Sequence, residues 1–361
     1  MLRRDFLGLA MAGLDPREPV REFSRGGMRY RRLGRTDIFV SALGFGAHTD
    51  YQQRVRGPDG ARLSDDFQKI RIRQTERAID LGINVVDVYD EARQWEPLSR
   101  LIQGKRDKVL VATKFNEFPG HVGRHIERAA RMFGWTDLGR YVIREETAVT
   151  PEAIENWDLL RKAKAAGQIR AIGIATHSPE VMKRSLDELE GLEFIFFPYN
   201  FIHAKAGYED FIRRAVERGV GLVAMKPLAS GSIVKLDPRR PRPNARSEGK
   251  TPSLSLQRAQ PLLQQAVAKL LAELDRSPEE TLAQAALRFV LAQPFIGCAL
   301  TGMFLPEELE ENYQAFVGHA MAASRGSAGG LEAASRVAAL SRGEWLPEHY
   351  RWLDERWSLR S

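Results

Sequence analysis

Short apolar runs bounded by Gly, Pro and Asn alternate along this chain with longer stretches whose apolar positions recur every three or four residues. The runs have the length of buried strands, and the longer stretches have the period of helices packed by one face. Met28–Leu33 and Ile38–Leu43 flank Gly34-Arg35-Thr36-Asp37 and predict a hairpin, while Val40–Gly46 also offers a first buried strand ending in Gly44-Phe45-Gly46. A helix over Asp65 to Leu81 then leads to a strand at Asn84–Asp87, and a short helix near Pro97–Gln103 to a strand at Lys108–Thr113. A helix over Val122–Phe133 precedes a strand at Arg140–Ile143.

The second half is more regular. Thr150-Pro151-Glu152-Ala153 is a helix start, with Thr as cap and Pro in the first turn, and this helix runs to Ala166 before Gly167 stops it. Strand Ile169–Ile174, helix Pro179–Glu190, strand Glu193–Phe197, helix Tyr208–Arg218 and strand Gly221–Met225 follow. Ser277-Pro278-Glu279-Glu280 caps a helix through Ala292, and strand Ile296–Leu300 and helix Pro306–Phe316 close the series. Strict alternation over about eight units means a parallel sheet, most simply a closed (β/α)8 TIM barrel with an N-terminal β-hairpin.

Such a barrel takes roughly 250 residues, so the 361 residues of this chain make one barrel with additions. The expected division is a tail over residues 1–27, the barrel over 28–318, and a C-terminal helical tail over 319–361 packed on the barrel. The stretch 235–260, with Pro238, Pro241, Pro243 and Pro252 among arginines, forms a long loop after the seventh strand. Aromatic residues between Trp345 and Trp352 dock the C-terminal tail.

Charge changes the picture only locally. The net charge is +7, but residues 1–35 hold nine Arg against four acids and residues 235–258 hold seven Lys/Arg against two acids, so the remainder is slightly acidic. A nucleic-acid surface needs a basic face on the folded core, and no nucleic-acid partner is expected. The single cysteine, Cys298, lies in an apolar strand and excludes a disulfide framework and a four-cysteine metal site. His121 and His125 stand four apart without an evident third ligand, so no metal site is expected. Arg3-Arg4-Asp5-Phe6-Leu7 before an apolar Gly8–Ala12 resembles a twin-arginine export signal. The chain is therefore cytoplasmic, or exported if that signal functions. No stretch approaches the ~20 apolar residues of a membrane span.

The chemistry sits at two strand ends. Val85-Val86-Asp87 finishes on an acid and Val111-Ala112-Thr113-Lys114 on a base. Charged groups at the C-terminal tips of neighbouring barrel strands are where this architecture keeps its active sites.

Between about Met28 and Phe316 the chain resembles the aldo-keto reductase family. The resemblance is carried by Tyr30–Thr36 with Val40–Gly46, Gly82-Ile83-Asn84-Val85-Val86-Asp87, Thr113-Lys114 and Gly167–Ile174. Pro198-Tyr199-Asn200, Met225-Lys226-Pro227-Leu228 with Gly231, and Gly302 with Glu311-Asn312 complete it. It implies a (β/α)8 oxidoreductase that acts on a carbonyl or alcohol with NADP or NAD, through an Asp, a Tyr, a Lys and a His. Hydride reaches the carbonyl carbon while an acid protonates the developing alkoxide. Asp87 and Lys114 match. The Tyr position falls on Ala92 and the His position on Arg144, the latter across a gap.

Three readings stay open. Tyr89 replaces the missing acid; or Arg144 stabilises charge while His48, Glu91 or water gives the proton; or the barrel has become a non-redox binder of a small molecule. The resemblance also implies cofactor contacts at Gly46, Thr176, Met225, Lys226, Pro227, Leu228, Ser230, Gly231, Gly302, Glu311 and Asn312, with His48 and His177 toward substrate. The family's polar contacts to the nicotinamide amide fall here on Ala175-Thr176 and Phe196. Its 2′-phosphate contacts fall on Gly302 and Glu308, and an acid there would repel phosphate, so NADP and NAD both remain candidates.

Overall fold

A computed structural model describes residues 22–46, 65–88, 95–115, 121–144, 147–200, 208–228, 234, 279–303 and 305–323. Eight parallel strands close into a barrel: β4 (Leu43–Gly46), β5 (Val85–Val88), β6 (Leu110–Phe115), β7 (Thr136–Val142), β8 (Ile169–Ala175), β9 (Phe194–Pro198), β10 (Gly221–Met225) and β11 (Ile296–Gly302). They neighbour one another in chain order, and β11 pairs with β4 to complete the ring. The (β/α)8 expectation holds.

The helices are α1 (Asp65–Asp80), α2 (Glu96–Leu101), α3 (Val122–Phe133), α4 (Pro151–Ala165), α5 (Pro179–Glu188), α6 (Glu209–Glu217), α7 (Leu282–Leu291) and α8 (Pro306–Ala323). The Thr150 hydroxyl caps α4 by accepting from the Ala153 amide, as its position before Pro151 predicts, and Ser178 caps α5 in the same way. α7 starts later than the Ser277-Pro278 motif suggests. Thr281 and Gln284 form its capping box, while Glu280 just before it pairs with Arg288 at 2.9 Å.

Apolar side chains separate into two bodies. The larger lies between the strands and the helical shell and includes Trp95, Trp157, Phe115, Phe197 and Phe211. The smaller fills the barrel itself, with Val85, Ala112, Leu138, Ala171, Phe194, Phe196, Val223, Cys298 and Leu300. Leu33, Ile38 and Val40 join this inner body because the hairpin of β2 (Met28–Arg32) and β3 (Phe39–Ser41) plugs the end where the strands begin. The plug fits closely: a Cβ on Gly34 would lie 2.4 Å from backbone atoms of Gly219 and Gly221, and its φ of +54° also favours glycine.

Two further boundaries differ from expectation in ways that matter to the site. Glu22–Arg25, assigned from sequence to the amino-terminal tail, forms a further strand, β1, antiparallel to β2. β7 begins at Thr136 rather than Arg140, because the φ +80° turn at Gly134 reverses the chain directly after α3 and Thr136 already pairs with Ile169. The shift moves Arg140 from the start of a strand into its interior. The 235–260 loop, the residues before 22 and those after 323 lie outside the described residues.

Candidate active site

Side chains two apart on a strand share a face. Asp87 therefore points the same way as Val85, Lys114 as Ala112, and Arg140 as Leu138, and all three partners belong to the body inside the barrel. Asp87, Lys114 and Arg140 thus project inward near the C-terminal ends of β5, β6 and β7. The register places Asp87 opposite Ala112, and Lys114 opposite Arg140.

Asp87 and Arg140 meet as a buried ion pair, the guanidinium Nη1 donating to Oδ1 across the intervening strand β6. Each residue is 4% exposed. The Arg140 guanidinium carbon lies 4.7 Å from the centroid of the Phe196 ring, so one face of the cation is covered by β9. Burial pushes the Asp87 carboxyl above the usual aspartate range. The charge and hydrogen bond of Arg140, and then the charge of Lys114, pull it back. Below it the Cys298 thiol is buried and pushed well up, by desolvation first and the Asp87 charge second, which makes it inert packing.

Arg140 was not among the residues that sequence reading selects. Its signal was present, as a charge two residues after Leu138 and two before Val142, but placing the strand start at Arg140 concealed that it faces inward. Arg144 lies two residues beyond the end of β7 and is exposed. Val142 is the last inward position of that strand, packed against the inner body. Tyr89, Glu91, Ala92, His48, Ser230 and Gly231 lie outside the described residues.

Several residues expected around a nicotinamide cofactor gather at the same end. Thr176 and the half-buried His177 follow β8, Met225 ends β10, and Lys226, Pro227 and Leu228 continue from it. The Thr176 hydroxyl accepts from the Ser178 amide at 3.2 Å and retains its own proton to donate. Lys226 adopts φ +52°, uncommon for a residue with a side chain, and Asn200 holds the turn by donating its side-chain amide to the Lys226 carbonyl at 3.0 Å. Leu228 packs against the outer apolar body. Phe196 is fully buried against Arg140, so it offers no polar group to a carboxamide.

At the end of β11, Gly302 stands open, with no atom of the described residues within 4 Å of where a Cβ would project. Gly46 is there for packing: a Cβ would meet the Thr301 carbonyl at 2.9 Å. Asn312 is buried in α8, and the Glu311 carbonyl accepts from Gln284 at 3.2 Å. The Glu308 carboxylate accepts from the Leu305 amide at 3.0 Å, so this acid caps the start of its own helix. Arg71 and Gln74 of α1 pin the turn before α8 by donating to the Met303 and Leu305 carbonyls. Gly302, the Thr176 hydroxyl and the braced turn are the groups among the described residues at these strand ends that could hold a dinucleotide.

Elsewhere, the rings of His121 and His125 meet edge to face at 6.0 Å and His125 packs on Trp95. No helix among the described residues is long and apolar enough to cross a membrane.

Comparison with known proteins agrees with this geometry. Residues 58–322 match the Aldo/keto reductase family. The chain is 23% identical over 304 residues to the uncharacterized oxidoreductase YqkF of Bacillus subtilis, covering 80% of this chain and 91% of that one. It is 24% identical over 326 residues to L-glyceraldehyde 3-phosphate reductase of Escherichia coli, covering 80% and 88%. The holo form of aldo-keto reductase AKR11C1 from Bacillus halodurans superposes with a TM-score of 0.61 at 21% identity, over 89% of this chain and 99% of that one. With a family match over most of its length and the same barrel, this chain belongs to the aldo/keto reductase family, a family of oxidoreductases.

Proposed function

We propose that the protein is a nicotinamide-dependent oxidoreductase that interconverts a small carbonyl compound and its alcohol. The observation that carries this reading is the inward placement of Asp87 and Lys114 on adjacent strands, at the end of the barrel where Thr176, Lys226 and Gly302 also collect. A bound nicotinamide supplies or accepts the hydride. Thr176 and the turn at Lys226–Leu228 hold it, with Asn312 toward the adenine end. Lys114 places a positive charge where alkoxide character develops, and Asp87 steadies that charge from below. Tyr89, one residue past β5, is the acid to test first. Arg144, at the rim, is suited to stabilising negative charge, because a guanidinium does not give up its proton near neutral pH.

A second reading has one observation in its favour. Phe196 stacks on Arg140 where the family resemblance implies a polar contact to the carboxamide, which suits a barrel that binds a ligand without redox chemistry.

Titrating the purified protein with NADPH and with NADH, followed by cofactor fluorescence, separates the two. Micromolar binding of either supports the oxidoreductase and sets the cofactor preference. A screen of small aldehydes, begun with glyceraldehyde 3-phosphate because one relative carries that name, then follows. Turnover that disappears in Tyr89→Phe assigns the acid. A folded protein that binds neither cofactor supports the ligand-binding barrel.

A further inference from the structure

We propose that Arg140 is a positioning residue of this centre: it fixes the Asp87 carboxylate in both charge and orientation beneath Lys114. The proposal rests on the oxidoreductase reading for its consequence in turnover, and on geometry alone for the hold itself.

The pair spans two strands that do not touch. Asp87 is on β5 and Arg140 on β7, and β6 runs between them. At the level of Asp87, β6 offers only the methyl group of Ala112, which leaves room for an arginine to cross on the inside. On the other flank Arg140 is opposite Gly173 of β8, where a Cβ would lie 2.3 Å from the Phe194 ring. A side chain at position 173 is therefore excluded, and that space belongs to Phe194. Phe196 then covers the cation from β9. With a carboxylate at one edge and a ring over one face, the guanidinium has little freedom to move.

Ion pairs of this depth are weak contributors to net stability, since desolvating two charges offsets most of their attraction. A role in holding the state of a neighbour explains it better. Arginine suits that role because its charge is permanent and its donors form a rigid fork. The charged or titratable groups that face Asp87 among the described residues are Arg140 on β7, Lys114 on β6 and the Cys298 thiol on β11. Without Arg140, burial acts on the carboxyl with only Lys114 opposing it. A protonated Asp87 does not steady the Lys114 ammonium.

The test is the titration of the Asp87 carboxyl by carbon-detected NMR, its signal identified by its loss in Asp87→Asn. In Arg140→Met the midpoint is expected to rise by ~1 pH unit or more. In Arg140→Lys, which keeps the charge and loses the fork, it is expected to rise by less. The acid limb of kcat is expected to move with the carboxyl, with KM nearly unchanged. A folded Arg140→Met whose carboxyl titrates as in the wild type overturns the hold. Should that variant not fold, an unmoved midpoint in Arg140→Lys overturns it equally. A carboxyl that moves while the kcat profile stays put overturns the role in turnover. A wild-type protein without turnover removes the oxidoreductase reading instead, and the NMR midpoint still decides whether Arg140 sets the state of Asp87.

Discussion

The guanidinium of Arg140 lies over the ring of Phe196 with 4.7 Å between its central carbon and the ring centroid, which ties β7 to β9 across the inside of the barrel. β8 separates the two strands, and Gly173 at this level contributes no side chain to come between them. Phe196 thus serves both as inner packing and as the lid on a buried cation. Phe196→Ala is expected to cost about 3–5 kcal/mol in urea unfolding, the usual range for emptying a buried aromatic site. Phe196→Leu, which keeps most of the volume and loses the ring face, is expected to cost about 1–2 kcal/mol. A Phe196→Leu variant as stable as the wild type would mean that the ring face contributes nothing to the cation.

Removing one member of the Asp87–Arg140 pair leaves the other buried without its partner. Arg140→Met alone is expected to lose about 3–5 kcal/mol, and combining it with Asp87→Asn to recover most of that. Chemical unfolding of the two single variants and the double variant gives the coupling directly. Additive losses would show that the two side chains do not depend on each other.

The same carboxyl makes stability depend on pH with a definite sign. Burial holds Asp87 above the ordinary aspartate value, so the folded state binds that proton more tightly than the unfolded chain. Its contribution is full below the unfolded value of about 4 and is lost as pH rises through the folded one. Relative to Asp87→Asn, the wild type is therefore expected to lose stability as pH rises over that window. Urea midpoints measured for both proteins at several pH values check this, and a difference that grows in favour of the wild type contradicts it.

Asp137 offers a contrast at the opposite end of the barrel. Its carboxylate accepts from the Val111 amide at 2.9 Å and from Trp135 at 3.0 Å, and it pairs with Arg106 at 2.7 Å and Arg170 at 3.0 Å. Arg106 in turn lies 4.1 Å over the Trp135 ring. The cluster is near the start of β7, on the face that serves stability in these barrels. Asp137→Ala is expected to cost about 3–5 kcal/mol, because two arginines and an indole lose a shared acceptor. The cofactor Kd is expected to stay within twofold of the wild type, and a tenfold loss of affinity in the folded variant would contradict this placement.

Gly173 tests the close packing around Arg140. A methyl group there collides with Phe194, so Gly173→Ala is expected to lose about 1–3 kcal/mol. Adding Phe194→Leu is expected to return part of it, because the smaller side chain vacates the space. Thermal unfolding of the single and double variants distinguishes this steric cause from a loss of backbone freedom, which Phe194→Leu would not relieve.

The alternation of apolar runs with helical periods determined the barrel by itself, because each strand buried on both faces reads as a continuous apolar run and each amphipathic helix carries its own period. The acid of Asp87 and the base of Lys114 were legible for the same reason, as charges that an apolar strand has no need of. Caps such as Thr150 and Ser178 are equally local, since their hydrogen bonds reach only three residues along the chain. Tertiary structure alone decided which cation Asp87 holds. The partner lies 53 positions away on a strand that is not its neighbour, and meeting it depends on the closure of the barrel, the register of β6, the small side chain of Ala112 and the absence of one at Gly173. Sequence reading paired Asp87 with Lys114 and put Arg144 in the His position as a stabiliser of charge, by counting along a strand over Arg140–Ile143. Closing the sheet set the true start of β7, and with it the inward face on which Arg140 lies.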